Sequence, residues 1–350
     1  MGVAVACPEC GEPVAHEDRF CEACGTDLLL RTGSTVTAGG AAAAGACAGC
    51  GEPAPEDEYC PGCGLRRRDD SERVELDLAA VAGVSDRGLR HARNEDAVAV
   101  GWLRDGPAAA VVCDGVSSVH RPELASRAAA DTALEVLLAR DDARPAGDRV
   151  RAAVSAAAAA VAGLPVPAGA EPPSCTLVCA VVSPVVSPAV SPVVEGLEPD
   201  APEITVGWVG DSRAYWLAAA QAAEPARLLT RDHAWAAEMV AAGELDAEAA
   251  AHHRLAHAIT RWLGADGEPE PDLVTLRPAG PGALLLCSDG LWNYLPDAAD
   301  LAALALPVLD AEGPLAAAAA LTAVALEAGG RDNITVVVVP VGPRTERSPS

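Results

Sequence analysis

The sequence predicts two parts, small cysteine-rich modules at the N-terminus and one larger α+β domain with largely antiparallel sheets. Eight of the twelve cysteines lie in the first 63 residues. From residue 74 onward, short β-branched runs alternate with longer Ala-rich segments of helical length. Consecutive strands precede the first pair of long helices, and neighbouring strands recur at hairpin spacing, which is typical of antiparallel sheets.

The chain is acidic, with 50 Asp and Glu against 25 basic residues, all of them Arg, and a formal net charge of −25. Because this charge repels phosphate groups, we expect neither nucleic acid nor an anionic membrane as a partner. Prolines interrupt the most apolar run, at 176–194, and the N-terminus lacks the basic residues that begin a signal peptide. We therefore expect a cytoplasmic protein, and the Ala- and Arg-rich composition favours a bacterial source.

The N-terminal cysteines form four Cys-x-x-Cys pairs, each followed by Gly. Glycine lets the backbone turn so that amides face the thiolates of a zinc knuckle, and two facing knuckles give a site of four sulfurs. Disulfides would require a secreted chain, and a single redox-active pair would not need repetition with matched spacing. The pattern predicts two structural zinc ions, with the ligands Cys7, Cys10, Cys21, Cys24, Cys47, Cys50, Cys60 and Cys63.

Changes in composition divide the chain into segments. We expect a zinc ribbon at 1–30, a small-residue linker at 31–46, a second ribbon at 47–64 and a charged linker at 65–73. The larger domain spans 74–342, and 343–350 is expected to be a disordered tail. Residues 1–63 carry ten acidic side chains against two Arg, so a protein-docking or regulatory role is expected for the ribbons rather than nucleic-acid binding.

Within the larger domain, β-branched runs predict strands and Ala-rich runs predict helices. Strands are expected at 78–85, 97–103, 108–113, 174–182, 203–209, 213–217, 271–276, 283–288 and 333–340. Helices are expected at 121–140, 147–162, 233–242, 296–305 and 313–328, the first with Pro122 in its opening turn. Residues 183–203 repeat Ser-Pro, and because proline cannot donate to a strand ladder we expect an inserted loop there.

Carboxylates stand at the tips of several predicted strands. Asp114, Asp211 and Asp289 follow apolar strands, whereas the Glu95–Asp96 pair and Asp332 precede them. Any one of these could be ordinary turn chemistry. Gathered together with few cations nearby, they would repel one another unless hard divalent ions such as magnesium or manganese neutralised them. Paired ions activate water and bind a phosphoryl group, so the pattern favours metal-assisted phosphoester hydrolysis.

Seven segments resemble, in order, the metal-dependent serine/threonine protein phosphatases (the PPM or type 2C family), over roughly 74–342. They are GVSDRGLRHARNEDA, VVCDG, VGDSRAYWL, LLTRDH, ITRWLG, LLLCSDGLW and GGRDNITVVVV. The resemblance implies a four-layer α-β-β-α sandwich of two antiparallel sheets. It also implies hydrolysis of phosphoserine and phosphothreonine in proteins by a metal-bridging hydroxide, with no phosphoenzyme. The N-terminal cysteines resemble a double zinc ribbon.

By position, the resemblance assigns manganese or magnesium ligands to seven residues, which are Glu95, Asp96, Asp114, Gly115, Asp211, Asp289 and Asp332. Two ions are implied, bridged by Asp114, with a third at Asp211. Asp114, Asp289 and Asp332 are therefore the expected catalytic carboxylates, and Asn333 is expected to orient Asp332. Residues 232–254 match the flap that borders the substrate cleft.

The sequence departs from the family pattern where a phosphate-binding Arg usually stands, because that position is His91. Arg90 and Arg93 flank it and are equally weighted candidates for binding the phosphate, and a protonated His91 is a further candidate. Ser117–Ser118 replace the usual Gly-Gly pair. An active phosphatase is the favoured interpretation, and a non-catalytic phosphoprotein-binding scaffold is the alternative. Four tryptophans are expected in the core, namely Trp208, Trp216, Trp262 and Trp292.

Overall fold

The computed structural model describes residues 73–342 except 104–105, 140–143, 184–201, 220–221 and 266–269. It also describes the short stretches 5–6, 13–14, 22–23 and 30–32. The eight predicted zinc ligands, most of the proline-rich insert and the segment 343–350 lie outside the described residues.

Strands and helices follow one another largely as predicted. The strands are β1 (Val5–Ala6), β2 (Pro13–Val14), β3 (Leu30–Thr32), β4 (Arg73–Asp77), β5 (Ala82–Asp86), β6 (Ala97–Trp102), β7 (Ala108–Cys113), β8 (Leu177–Ser183), β9 (Glu203–Val209), β10 (Arg213–Leu217), β11 (Arg227–Leu228), β12 (Asp272–Leu276), β13 (Gly282–Cys287) and β14 (Ile334–Val341). The helices are α1 (Pro122–Leu137), α2 (Ala146–Ala162), α3 (Trp235–Ala241), α4 (Ala247–Ala251), α5 (Asp289–Trp292), α6 (Ala298–Glu312) and α7 (Pro314–Glu327).

Two six-stranded sheets form the centre of the fold, and all their pairings are antiparallel. Sheet I has the order β11-β10-β13-β14-β5-β4, and sheet II has the order β12-β9-β8-β7-β6-β3. Helices α1 and α2 pack on the outer face of sheet II, whereas α6 and α7 pack on the outer face of sheet I. A third apolar cluster fills the space between the sheets. The predicted four-layer α-β-β-α sandwich is therefore confirmed.

Small side chains let the helices lie close to the sheets. On α1, Ala125, Ala129 and Ala133 recur every fourth residue and are fully buried against sheet II. Strand residues such as Val111 and Leu177 fill the opposite side of the same cluster. This packing explains how a chain with only 3% aromatic residues forms a continuous core.

The strand register brings the predicted acidic tips to one end of the sandwich. Ala97, at the start of β6, pairs with Cys113 at the end of β7, and Val336 of β14 pairs with Cys287 at the end of β13. The start of β6 therefore lies beside the end of β7, and the start of β14 lies beside the end of β13. The acids that precede β6 and β14 and those that follow β7 and β13 consequently meet at the same edge.

Several predicted boundaries were wrong. Helix α6 was expected to end at 305 but continues through Pro307 to Glu312. The exposed side of the helix carries both Pro307 and Ala303, so the carbonyl that loses its partner can bind water. Residues 73–77, which include the end of the predicted linker, form strand β4. Trp262 was expected in the core but is 38% exposed.

The segment that follows the predicted first ribbon also joins the sandwich. Arg31 and Thr32, expected in the linker, lie in β3 and pair with Val100 and Ala99 of β6. Strand β3 thus extends sheet II at its edge. In the parts of the chain that the structure describes, the helices are too short or too polar to cross a bilayer.

Candidate active site

Five of the predicted ligand side chains converge at the acidic end of the sandwich. Asp96 precedes β6, Asp114 follows β7, Asp211 follows β9, Asp289 opens α5, and Asp332 precedes β14. Burial and the negative charges of the other four raise the pKa of Asp114, so each of the four lies within electrostatic reach of Asp114. This convergence agrees with the prediction from the strand tips.

Burial and mutual repulsion raise the pKa values of these acids. Burial is the larger cause for Asp114 and Asp289, whose pKa values lie well above the ordinary range, and the neighbouring carboxylates add to it. Burial raises the pKa of Asp96 to about 7, although hydroxyl donors oppose the shift. The pKa of Asp211 rises to about 6, through burial and the charge of Asp232. A cation bound here would remove most of this repulsion.

Two carboxylate oxygens in the cluster are buried without a donor. They are Oδ1 of Asp96 and Oδ1 of Asp289. The other oxygen of Asp96 accepts hydrogen bonds from Ser288 Oγ at 2.8 Å and Thr335 Oγ1 at 2.7 Å. A buried oxygen with no partner is costly. Because the donor set is all oxygen, a hard divalent cation is the partner that fits it.

The five acids do not form a complete metal-coordination site in the conformation described. Across the described ranges, no three His, Cys, Asp or Glu side chains are placed so that they could hold one ion as they stand. The unpartnered, buried oxygens of Asp96 and Asp289 nevertheless fit a bound cation. Side-chain rotations at the strand tips would be needed to complete the coordination.

Glu95 is hydrogen-bonded to Ser117. Its Oε2 accepts a hydrogen bond from Ser117 Oγ at 2.7 Å. Gly115, the proposed carbonyl ligand, is buried where a Cβ would lie 2.7 Å from the Glu95 carbonyl and 2.8 Å from Pro122 Cβ. This close approach requires glycine after Asp114.

Asn333 acts mainly on the loop before β6. Its backbone N–H donates to Asp332 Oδ1 at 2.8 Å, as an orienting residue should. Its side-chain Nδ2 donates to the carbonyls of Arg87 and Arg93, and its Oδ1 accepts from the N–H of Glu95 at 2.8 Å. The side chain therefore fixes the loop that carries the phosphate-binding candidates rather than Asp332 itself.

The three candidates for phosphate binding occupy different positions. His91 Nε2 lies 3.0 Å from Asp332 Oδ1, next to the acidic cluster. Arg93 pairs with Glu123 at 3.4 Å and keeps 58% of its side chain exposed. Arg90 is exposed as well. His91 is therefore the candidate that the structure places in contact with a predicted metal ligand.

An ion pair that the sequence analysis missed joins the flap to the cluster. Arg213 donates from Nε and Nη2 to the two oxygens of Asp232, at 2.9 and 2.8 Å. Its guanidinium lies over the ring of Trp292, with Cζ 3.8 Å from the centroid, and Trp292 Nε1 donates to the carbonyl of Asp211 at 3.0 Å. Arg213 and Asp232 are 19 residues apart, and no periodic pattern in the sequence connects them.

Two family models match the chain. "Protein phosphatase 2C" matches residues 87–324, and "Double zinc ribbon" matches residues 7–64. The serine/threonine phosphatase stp of Listeria innocua is 34% identical over 138 residues, which are 39% of this chain and 51% of that protein. The chain spans about half the length of the curated relatives it matches.

Solved structures resemble the fold across most of the described domain. The Streptococcus agalactiae serine/threonine phosphatase aligns with a TM-score of 0.60 and 27% identity, covering 75% of this chain and 98% of that one. The catalytic domain of a serine/threonine protein phosphatase, PstP, in complex with two manganese ions aligns with a TM-score of 0.54 and 29% identity, with the same coverage of 75% and 98%.

Proposed function

Because the chain belongs to the protein phosphatase 2C family, we propose that it hydrolyses phosphoserine and phosphothreonine in proteins with manganese or magnesium. The observation that carries the proposal is the pair of orphaned oxygens on Asp96 and Asp289, inside a group of five acids that repel one another. Such a group is stabilised when it binds a hard cation.

The proposed ligands are those of the sequence analysis: Glu95, Asp96, Asp114, Gly115 through its carbonyl, Asp211, Asp289 and Asp332. Bound ions would supply the positive charge that activates water and offsets the charge of the phosphoryl oxygens. Ser117 donates to Oε2 of Glu95, and the other oxygen of that carboxylate would bind an ion. Ser288 and Thr335 hold Asp96 from one side, which leaves its second oxygen available for an ion.

No side-chain nucleophile is required in this proposal. The two thiols beside the cluster, Cys113 and Cys287, are fully buried, and burial raises the pKa of each. They therefore stay protonated and are poor nucleophiles. A direct attack of water on phosphorus is consistent with these surroundings. His91, Arg90 and Arg93 remain the candidates for the phosphate.

The experiment compares the full chain with two variants on a small aryl phosphate, with and without manganese. We expect manganese-dependent turnover in the wild type and in Asp148→Asn, which changes an exposed acid on α2. Asp114→Ala should reduce kcat at least a thousandfold and weaken manganese binding measured by calorimetry. Normal turnover in Asp114→Ala would refute the proposal.

One contact favours the second candidate, a phosphoprotein-binding scaffold without catalysis. Ser117, which stands where the family usually has glycine, donates a hydrogen bond to the proposed ligand Glu95 at 2.7 Å. If the wild type binds manganese but hydrolyses neither the aryl phosphate nor phosphopeptides, this candidate takes precedence. Ser117→Gly should then release Glu95, and a gain of turnover in that variant would identify the cause.

We propose that the cysteine-rich region binds two structural zinc ions and docks a protein partner or a substrate. The match of residues 7–64 to the double zinc ribbon model and the acidity of this region support the proposal. Replacing Cys7 and Cys10 by Ser should remove one equivalent of zinc from the purified protein. If the ribbons recruit substrate, the same change should lower kcat/KM on an intact phosphoprotein and leave turnover of the aryl phosphate unchanged.

A further inference from the structure

Trp262 is an exposed tryptophan close to the acidic end of the sandwich. It is 38% exposed, although it lies between Arg261 and the fully buried Leu263. A tryptophan that leaves this much indole in water is a typical contact for another molecule.

Backbone pairing fixes its distance from the carboxylates. Gly115, next to Asp114, forms an antiparallel bridge with Cys175, and Cys175 forms another with Leu263. In the second bridge, each N–H donates to the opposite carbonyl, at 3.0 and 2.8 Å. Because neighbouring strands lie about 4.8 Å apart, the backbone beside Trp262 is about 10 Å from the loop of Asp114.

Alternation of side chains beside these isolated bridges indicates the face on which Trp262 lies. Cys113, Cys175 and Leu263 all belong to the apolar cluster under α1 and α2. Successive side chains point to opposite faces, so Asp114 and Trp262 lie together on the other face.

The contacts of the indole agree with this placement. A Cβ on Gly264, two residues further along, would lie 3.3 Å from Trp262 Nε1 and 3.2 Å from Ser174 Cβ. The carbonyl of Ser174 accepts a hydrogen bond from the N–H of Val116 at 3.0 Å, so Ser174 connects the backbone beside Trp262 to the loop of Asp114.

We propose that Trp262 is a specificity-determining residue that binds the substrate polypeptide beside its phosphorylated residue. This inference rests on the proposed function. An extended peptide rises about 3.3 Å per residue, so a side chain about three positions from the phosphorylated residue would reach the indole. Arg261 next to it is paired with Asp272 at 3.2 Å, which offsets its charge. A neutral, apolar side chain is therefore the expected occupant.

The test compares kinetics on a peptide and on a small substrate, using the full chain with manganese. The peptide carries phosphothreonine with Leu three positions away on each side, a second peptide has Ala at those positions, and the small substrate is an aryl phosphate. The variants are Trp262→Ala and Trp262→Phe. Val166→Ala, another exposed apolar residue at 42%, serves as the matched control.

We expect Trp262→Ala to raise KM for the Leu peptide about tenfold, with kcat and aryl phosphate turnover within twofold of wild type. A tenfold change requires burial of only about 55 Å² of apolar surface, which is less than the exposed part of the indole. Trp262→Phe should keep most of the affinity, and Val166→Ala should match the wild type. The preference for Leu over Ala should disappear in Trp262→Ala.

Three outcomes overturn the inference. Unchanged KM for the Leu peptide shows that the substrate does not contact Trp262. Equal losses on the peptide and the aryl phosphate show that the indole only supports the site. A gain on both substrates shows that another part of this chain covers the indole.

Absence of turnover in the wild type would count against the proposed function but not against Trp262. Binding of the fluorescently labelled Leu phosphopeptide, measured by anisotropy, then decides the inference. A tenfold weaker Kd in Trp262→Ala supports the contact, and an equal Kd overturns it.

Discussion

Removing the guanidinium of Arg213 should destabilise the domain strongly. Arg213 and Asp232 keep only 15% and 14% of their side chains exposed, and the guanidinium also donates to the Tyr215 hydroxyl at 3.2 Å and lies over Trp292. Arg213→Met removes two charge-assisted hydrogen bonds and leaves the Asp232 carboxylate nearly buried without its partner. Breaking a buried pair in this way costs about 3 to 5 kcal/mol. Urea unfolding followed by tryptophan fluorescence measures the loss.

Two further variants distinguish the contribution of the ion pair to stability from the contribution of packing around Arg213. Arg213→Lys keeps the charge but not the two-pronged geometry, so we expect an intermediate loss of about 1 to 2 kcal/mol. In the double variant Arg213→Met with Asp232→Asn, the second change should recover part of the stability because no buried charge remains unpaired. A loss below about 1 kcal/mol in Arg213→Met, or strictly additive losses in the double variant, would refute this reasoning.

Other contacts give three shorter predictions. Gly290→Ala should prevent stable folding, since its Cβ would lie 1.9 Å from the Asn333 carbonyl, whereas Gly280→Ala has open space and should leave the melting temperature unchanged; thermal unfolding compares them. Asn333→Ala leaves the loop before β6 without its amide contacts, so the free energy of unfolding should fall by about 2 to 4 kcal/mol; a loss within error would contradict this role. Burial lowers the pKa of His233, whose Nδ1 accepts from the N–H of Gly210, so the unfolded chain binds a proton more readily. The contribution of His233 to stability should therefore be lost as pH drops below about 6.5, and the difference between the pH profiles of unfolding free energy of wild type and His233→Asn should show that loss.

The acidic cluster could be predicted because its signal is local. An apolar run that ends in Asp shows both the strand and its tip, as at Asp114 and Asp289, and antiparallel pairing then brings the tips together. The contacts that hold the cluster have no such signal. Ser288 and Asp96 are 192 residues apart, and only the finished sandwich makes them neighbours.

The wrong expectations share a similar cause. Trp262 was expected in the core like the other three tryptophans, but the bridge between Leu263 and Cys175 places the side chain of Leu263 inward instead. Helix α6 passes Pro307 because the proline is on the solvent side, which depends on how the helix sits on sheet I. In both cases tertiary packing determined the result.

Strands β3 and β4 limit how far the chain can be truncated from its N-terminus before it self-associates. These two strands cover the outer edges of β6 in sheet II and of β5 in sheet I. An uncovered edge presents unpaired N–H and C=O groups to which another molecule can add a strand. A fragment that begins at residue 73 opens the edge of β6, and one that begins at residue 87 also loses β4 and β5 and opens β14. Aggregation should therefore increase with each edge that a truncation uncovers, independently of any loss of zinc.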